Sequence, residues 1–415
     1  MAAKPHAATR RELLLGSGAL FAWAFVPKIA RAEGRDPRFL TIVLRGALDG
    51  LAAVAPVGDP DWLRLRGDNA LRLDSTTPAL PLDGFFALNP AMPNLHRLYL
   101  AGQAIVVHAV ATPYRERSHF DGQDVLQSGY ARPGRADAGW LNRALSVLEP
   151  DDQVRVAPNR RRAFAVGPLT PLVVRGPAPV LSWVPQRLPP VSDDTTMRLL
   201  DLYRHTDPAL ARVLEDRIDL ATLTPDRGTG DKGPVIQTGG INQVRAYFAD
   251  AAGAAATFLA NPDGPRIGAL ALDGWDTHNN EGAVNGRLSQ LLGALDAALA
   301  AIETNMGNAW NETVVTLITE FGRTARINGT EGTDHGTATV ALLVGGALKG
   351  GRVIADWPGV KESNLFENRD LKATADLRAV LKGLLQDHLR IDERALANAV
   401  FPGSENVKPV EGCLA

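Results

Sequence analysis

Three short segments between Leu270 and Gly336 concentrate the side chains best able to do chemistry. They are Asp273-Gly274-Trp275-Asp276-Thr277-His278, Thr319-Glu320-Phe321-Gly322-Arg323 and Thr333-Asp334-His335-Gly336. The chain has only 8 histidines in 415 residues, so two of them beside aspartates in these segments are informative. Carboxylate oxygen and imidazole nitrogen together are the donor set of a divalent metal such as zinc or manganese. Asp276 and His278 are two apart, so in an extended segment both side chains face one way and reach one ion, while Trp275 packs on the other side. Asp334 and His335 are adjacent and diverge in a regular strand. His335 is therefore read as the ligand and Asp334 as the group that orients an imidazole, unless Gly332 and Gly336 turn the backbone so that both reach the metal. Glu320 follows the strongest apolar run of the chain, a place where a carboxylate needs a partner.

A second constellation lies at Thr112–Asp124, with Arg115, Arg117, Ser118 and His119 followed by Asp121 and Asp124. Ser118 has two readings. As a catalytic group it is a nucleophile at a helix start, activated by a metal and the helix dipole, with His119 beside it and Arg115 and Arg117 steadying a phosphate or sulfate oxyanion. As a structural group it caps the helix and the charges are solvated. Asp49 stands between Gly46 and Gly50 after the run Arg38–Arg45, as a metal ligand or as an acid in a tight turn. His96, His108, His205 and His388 fall on predicted helices or strands and read as structural.

The elements that must position these residues alternate between β-type runs and amphipathic helical stretches. Strands are expected at Arg38–Arg45, Ala104–Val110, Arg266–Leu272, Thr313–Thr319 and Ala338–Val344. Helices are expected at Met92–Gly102, Gly139–Leu148, Ile241–Leu259, Val284–Met306 and Asp376–Leu389. Arg162–Arg175 reads as two short β runs around Gly167-Pro168, a hairpin or sheet edge. The Pro-rich stretch Gly176–Pro190 reads as a surface connection, Thr195–Leu223 as helix broken at Asp207-Pro208, and Thr224–Thr238 as a loop. This order predicts an α/β fold, a mostly parallel sheet sandwiched by helices, with a helical insertion or cap over residues 190–260. The carboxyl ends of such strands are where α/β proteins bind ligands.

The first 32 residues read as a twin-arginine signal peptide. Arg10 and Arg11 precede an apolar stretch of about 15 residues, short for a membrane span, and Ala30-Arg31-Ala32 offers a cleavage site. The mature chain, 33–415, is then expected in the periplasm, with no stable membrane span after cleavage. A formal net charge of −2 gives no electrostatic reason to expect a nucleic-acid partner. The single cysteine, Cys413, excludes an intrachain disulfide.

Taken together, the leader, Leu44–Leu51 (LRGALDGL), Arg117–Asp124 (RSHFDGQD), Asp273–His278 (DGWDTH), Thr319–Thr324 (TEFGRT) and Thr333–Ala338 (TDHGTA) resemble the bacterial family called domain of unknown function 1501. That family is grouped with the alkaline phosphatase-like superfamily, which includes phosphatases, sulfatases and phosphoglycerate mutases. The resemblance implies an alkaline phosphatase-like fold, Asp49 as the first-strand metal aspartate, Ser118 at the nucleophile position, Asp276 with His278 as a metal pair and His335 as the late metal histidine. Where relatives commonly have Asp-His this chain has Glu320-Phe321, and a second metal site would lose an imidazole there. Two functions follow as expectations. One is an exported metal-dependent hydrolase of small-molecule or polymer phosphate or sulfate esters. The other is a non-catalytic envelope protein of the same fold that binds a protein partner.

Overall fold

The computed structural model describes residues 21–24, 35–134, 137–148, 163–166, 170–178, 180–182, 193–208, 211, 241–262 and 264–415. Its centre is a sheet whose middle strands are almost wholly apolar because helices cover both faces. In chain order the strands are β1 (Phe21–Ala24), β2 (Arg38–Arg45), β3 (Ala104–Ala111), β4 (Ala163–Val166), β5 (Val180–Ser182), β6 (Ile267–Asp273), β7 (Thr313–Ile318), β8 (Thr339–Val344), β9 (Arg352–Ile354) and β10 (Ala375–Asp376). Across the sheet they run β9-β3-β8-β7-β2-β6-β1-β4-β5, with β10 beside the end of β3. β2 pairs in parallel with β6 on one side and β7 on the other. β8 runs antiparallel to both β7 and β3.

The period-two alternation of each strand builds two cores at once. Leu40, Ile42 and Leu44 of β2 join Leu270, Leu272, Val315 and Leu317 in one apolar layer. Phe39 and Val43 join Ala269, Ala271, Val314 and Ile318 in the other. The first layer is closed by helices Ile241–Ala260 and Arg287–Met306, which pack along each other. Their buried Ala251, Ala252, Ala255 and Ala256 keep the contact close. The second is closed by helices Trp140–Val147 and Leu377–Leu389. Each fully buried Leu, Ile, Val or Phe stabilises the fold by roughly 1.5–3 kcal/mol.

The expected strands and helices are present within a few residues of their predicted ends. Two differences have physical causes. Leu172–Val174 is a 3-10 turn instead of the second arm of a hairpin. Its backbone groups are taken by side chains of neighbouring helices: Val173 N–H donates to Gln127 Oε1 at 3.3 Å, and Val174 carbonyl accepts from Asn142 Nδ2 at 2.8 Å. The parallel partner of β4 is β5, inside the stretch read as a Pro-rich connection. Within 190–260, helix Asp193–Thr206 ends before Asp207 and Ile241–Ala260 belongs to a core layer. The predicted loop Thr224–Thr238 lies outside the described residues. So does the predicted leader apart from Phe21–Ala24, which pairs antiparallel with Ile267–Leu270. Among the described residues no helix is long and apolar enough to cross a membrane.

Strand direction explains how segments distant in sequence meet. The carboxyl ends of β2, β6 and β7 lie at one edge, where Arg45 registers with Asp273 and Ile318 with Val43. Because β8 runs the other way, its amino end reaches that same edge, and so does the Thr333–Gly336 segment that precedes it.

Candidate metal centre

Beyond the sheet edge, the loop chains are stitched to one another by backbone bonds. Arg323 and His335 form an antiparallel bridge, Thr324 N–H donates to Asp334 carbonyl at 2.8 Å, and Thr333 N–H donates to Thr277 carbonyl at 3.1 Å. Two glycines make the approach possible. A Cβ on Gly46 would stand 2.5 Å from Asp276 N, and one on Gly332 would stand 2.1 Å from His278 carbonyl oxygen. Gly46 also has φ +118°, a conformation glycine adopts without penalty.

These constraints gather three imidazoles around one carboxylate. Asp276 Oδ1 lies 3.1 Å from His278 Nε2 and 3.3 Å from His335 Nε2, while Oδ2 lies 3.4 Å from His119 Nε2. His278 Nε2 and His335 Nε2 are 2.9 Å apart. His119, Asp276 and His335 form the group of donor atoms, all within 4.8 Å of one another, that can hold a metal ion. His278 Nε2 stands beside this group, 3.1 Å from Asp276 Oδ1 and 2.9 Å from His335 Nε2.

Each imidazole is held from behind by its other nitrogen. His119 Nδ1 donates to Glu320 Oε1 at 2.8 Å, His335 Nδ1 to the Arg117 carbonyl at 2.9 Å, and His278 Nδ1 faces Asp334 Oδ1 at 3.3 Å. A carbonyl or a carboxylate only accepts, so each Nδ1 carries the hydrogen, and in the neutral ring each Nε2 presents a lone pair to the centre. Two such lone pairs at 2.9 Å repel unless a proton or a metal cation lies between them. His119 Nε2 is buried and makes no hydrogen bond. Donors tetrahedrally placed about 2.0–2.1 Å from one ion sit about 3.4 Å from each other, close to the 3.1–3.4 Å between the Asp276 oxygens and the three Nε2 atoms. The donor set therefore fits a single divalent metal.

The electrostatics agree with a demand for positive charge. Burial opposes ionisation of Asp276, but the three imidazoles hold it well below the usual carboxylate range. Burial likewise opposes Glu320, and His119 brings it down to about 2. Burial disfavours the His119 imidazolium, yet the two carboxylates carry it up to about 9. His335 is pushed down, first by burial, and His278 is raised by Asp276. Without a metal, the required positive charge resides on imidazolium protons. The His278 side chain is 39% exposed and that of His119 13%, so the centre opens to solvent on the His278 side.

The remaining expected site residues are placed as follows. Glu320 and Asp334 stand behind imidazoles. Glu320 also accepts from Gly46 N–H at 2.9 Å and Thr319 Oγ1 at 2.9 Å. Asp49 is not brought to the cluster. It caps the helix Gly50–Ala53 through Leu51 N and Ala52 N, and both its oxygens bind Arg66, at 2.6 and 3.0 Å, in a fully buried pair. Ser118 caps the helix His119–Ser128, its Oγ accepting weakly from Asp121 N–H at 3.4 Å. The Arg115 guanidinium donates to the carbonyls of Thr112 and Tyr114. That of Arg117 binds Asp370 at 2.8 Å and Glu367. The guanidinium that does meet the centre is one not assigned a role from sequence. Buried Arg323 donates to Asp276 Oδ1 at 2.5 Å and to Thr333 Oγ1 at 3.1 Å. The available signal was its place in a Gly-Arg pair directly after a buried strand, where an arginine needs a carboxylate partner.

Phe321 stacks on His119 with ring centroids 5.0 Å apart and lies against His335 at 5.4 Å. The four histidines read as structural divide as follows. His108 and His388 are buried and donate to the carbonyls of Val54 and Arg38, each at 2.9 Å; His96 reaches Pro81 carbonyl at 2.7 Å; the His205 side chain lies outside the described residues.

No curated protein matches the sequence. Among solved structures the chain is similar to a protein in the alkaline phosphatase superfamily from Vibrio parahaemolyticus, at 12% identity and TM-score 0.38, covering 94% of this chain and 72% of that one. It is also similar to Ps i-CgsB, at 10% identity and TM-score 0.39, covering 90% and 77%. The same protein in complex with k-i-k-neocarrahexaose gives 12% identity and TM-score 0.35, covering 76% and 68%. The model of the family described as "Protein of unknown function (DUF1501)" matches residues 103–400, which include all four residues of the centre, and the chain belongs to that family.

Proposed function

We propose that the chain is a periplasmic metal-dependent hydrolase of phosphate or sulfate esters, exported by the twin-arginine route, with one zinc or manganese ion held by His119, Asp276, His278 and His335. The observation that carries the metal centre is the convergence of three Nε2 atoms on Asp276 while every Nδ1 is held from behind. The hydrolytic assignment is supported by the motif resemblance to the alkaline phosphatase-like superfamily. When bound, such an ion supplies Lewis-acid polarisation of an ester oxygen.

The chain's own groups do the rest. Glu320, Asp334 and the Arg117 carbonyl keep the imidazoles in the tautomer that faces inward. Arg323 holds the Asp276 carboxylate in place. Ser118 is the candidate nucleophile. Its Oγ accepts the Asp121 N–H, so its own proton remains free to leave, and it sits at the amino end of a helix whose dipole favours negative charge on oxygen. The opening beside His278 admits the ester.

A second reading, a non-catalytic envelope protein that binds a partner, is favoured by one observation. The guanidiniums of Arg115 and Arg117, expected to steady the transferred group, are both engaged within the chain. A screen of phosphate and sulfate esters on metal-loaded protein separates the two. The hydrolase reading expects turnover that Ser118→Ala lowers by several orders of magnitude, about 4 kcal/mol or more of transition-state stabilisation, with metal content intact. His278→Ala loses metal and activity together. Metal-loaded wild type inactive on every ester would favour the binding protein.

A further inference from the structure

Glu281 is a buried carboxylate that neither belongs to the metal centre nor touches it, yet it joins the two loops that supply three of the four ligands. Its Oε1 accepts from Thr277 Oγ1 at 2.8 Å and its Oε2 from Thr333 Oγ1 at 3.0 Å. Thr277 lies between the ligands Asp276 and His278. Thr333 precedes Asp334, which faces His278, and His335, which is a ligand. All three residues are buried, with exposures of 1% for Thr277, 2% for Glu281 and 0% for Thr333.

The connection closes on itself. Arg323 Nε donates to Thr333 Oγ1 at 3.1 Å, and Arg323 NH1 donates to Asp276 Oδ1 at 2.5 Å. The hydrogens run from Arg323 toward Glu281 along one arm and from Thr277 toward Glu281 along the other. Arg323 donates to the Thr333 hydroxyl, which passes its own hydrogen to Glu281, and Glu281 takes its other hydrogen bond from Thr277. The Asp276–Thr277 peptide completes the ring. Every donor in it is used once, and the only group that accepts twice is Glu281. The backbone bond from Thr333 N–H to Thr277 carbonyl, 3.1 Å, lies inside the ring and fixes its width. Buried polar groups this fully satisfied rigidify what they join.

We infer that the Thr277–Glu281–Thr333–Arg323 ring is the positioning device of the metal centre. It fixes the separation of the Asp276/His278 loop from the His335 loop, and thereby the affinity and geometry with which the ion is held. Glu281, Thr277 and Thr333 are positioning residues and not ligands. The inference rests on the metal-centre reading above.

Cobalt(II) binding followed by its visible spectrum tests it, because cobalt occupies zinc-type sites and its ligand-field bands report coordination geometry. Thr333→Val keeps the side-chain shape and removes the hydroxyl. It is expected to weaken cobalt binding 10–100-fold, the usual cost of losing a partner that orients a ligand, and to shift the bands. Thr333→Ser, which restores the hydroxyl, is expected to recover both. Thr277→Val cuts the other arm and gives the same readout independently, should Thr333→Val fail to fold. Thermal unfolding of each metal-free variant separates lost positioning from lost stability. The inference is overturned if folded Thr277→Val or Thr333→Val binds cobalt with wild-type affinity and spectrum. Wild-type protein that binds no cobalt, zinc or manganese would instead remove the metal-centre reading, and this inference with it.

Discussion

Asp49 and Asp276 look alike in sequence, each following one of two parallel strands paired in the same sheet, and each meets a buried arginine. Their surroundings differ completely. Asp49 and Arg66 are both 1% exposed and bind each other through two hydrogen bonds, and the carboxylate's remaining capacity goes to a helix cap. Asp276 gives one oxygen to Arg323 and still faces three imidazole nitrogens at 3.1–3.4 Å. A strand-end aspartate is thus not a metal ligand by position alone. In the proposed centre other donors converge on the aspartate, and its arginine leaves lone pairs free.

The largest expected effects break that comparison in opposite directions. Asp49→Ala strands the Arg66 guanidinium in the core and should cost about 3–5 kcal/mol of stability, measured by urea unfolding, with metal stoichiometry unchanged in the folded fraction. Asp276→Ala should abolish tight metal binding with a smaller loss of metal-free stability. An Asp49 variant that folds but loses its metal would make the two aspartates functionally equivalent and contradict the distinction.

The histidines sharpen the same contrast. His108 and His388 are each brought down to about 4, chiefly by burial. Because their folded values lie below the ordinary value of about 6.5, the unfolded chain takes up protons first as pH falls. Stability is therefore fully present above pH 6.5 and is lost between about pH 6.5 and 4, by about 2 kcal/mol for each histidine at pH 5. His119, raised to about 9 in the metal-free protein, acts in the other sense, and its contribution fades as pH rises through 9. Urea midpoints of metal-free protein should fall from pH 7 to pH 5, and replacing His108 with Gln should flatten that fall. A wild-type midpoint constant over that range would contradict the burial argument.

Much of this was legible in the sequence. β2, β3, β7 and β8 are rich in β-branched residues, and they and β6 are apolar on both faces, so their extents could be read directly. The Asp276/His278 pairing was read from period-two geometry, and Asp334 and His335, read as diverging because they are adjacent, lie against His278 and Asp276 respectively. Direction was harder to read. Nothing local in Thr339–Val344 says that it runs antiparallel to its neighbours, although that reversal is what brings His335 to the edge. Pairings over long separations were not legible either. Glu320 visibly needed a partner, but that partner, His119, is 201 residues away. For Asp49 the sequence left two readings, metal ligand or acid in a tight turn, and in the fold the carboxylate instead caps the short helix Gly50–Ala53 and pairs with Arg66, 17 residues on.

The central claim is that one ion sits among three imidazoles and Asp276. Zinc titration of metal-free protein, followed by X-ray absorption at the zinc edge, tests it most directly. The account predicts saturation at one ion per chain and multiple-scattering features of three imidazoles, falling to two in His119→Ala. No tight binding, saturation at two ions, or a spectrum unchanged in His119→Ala would contradict it.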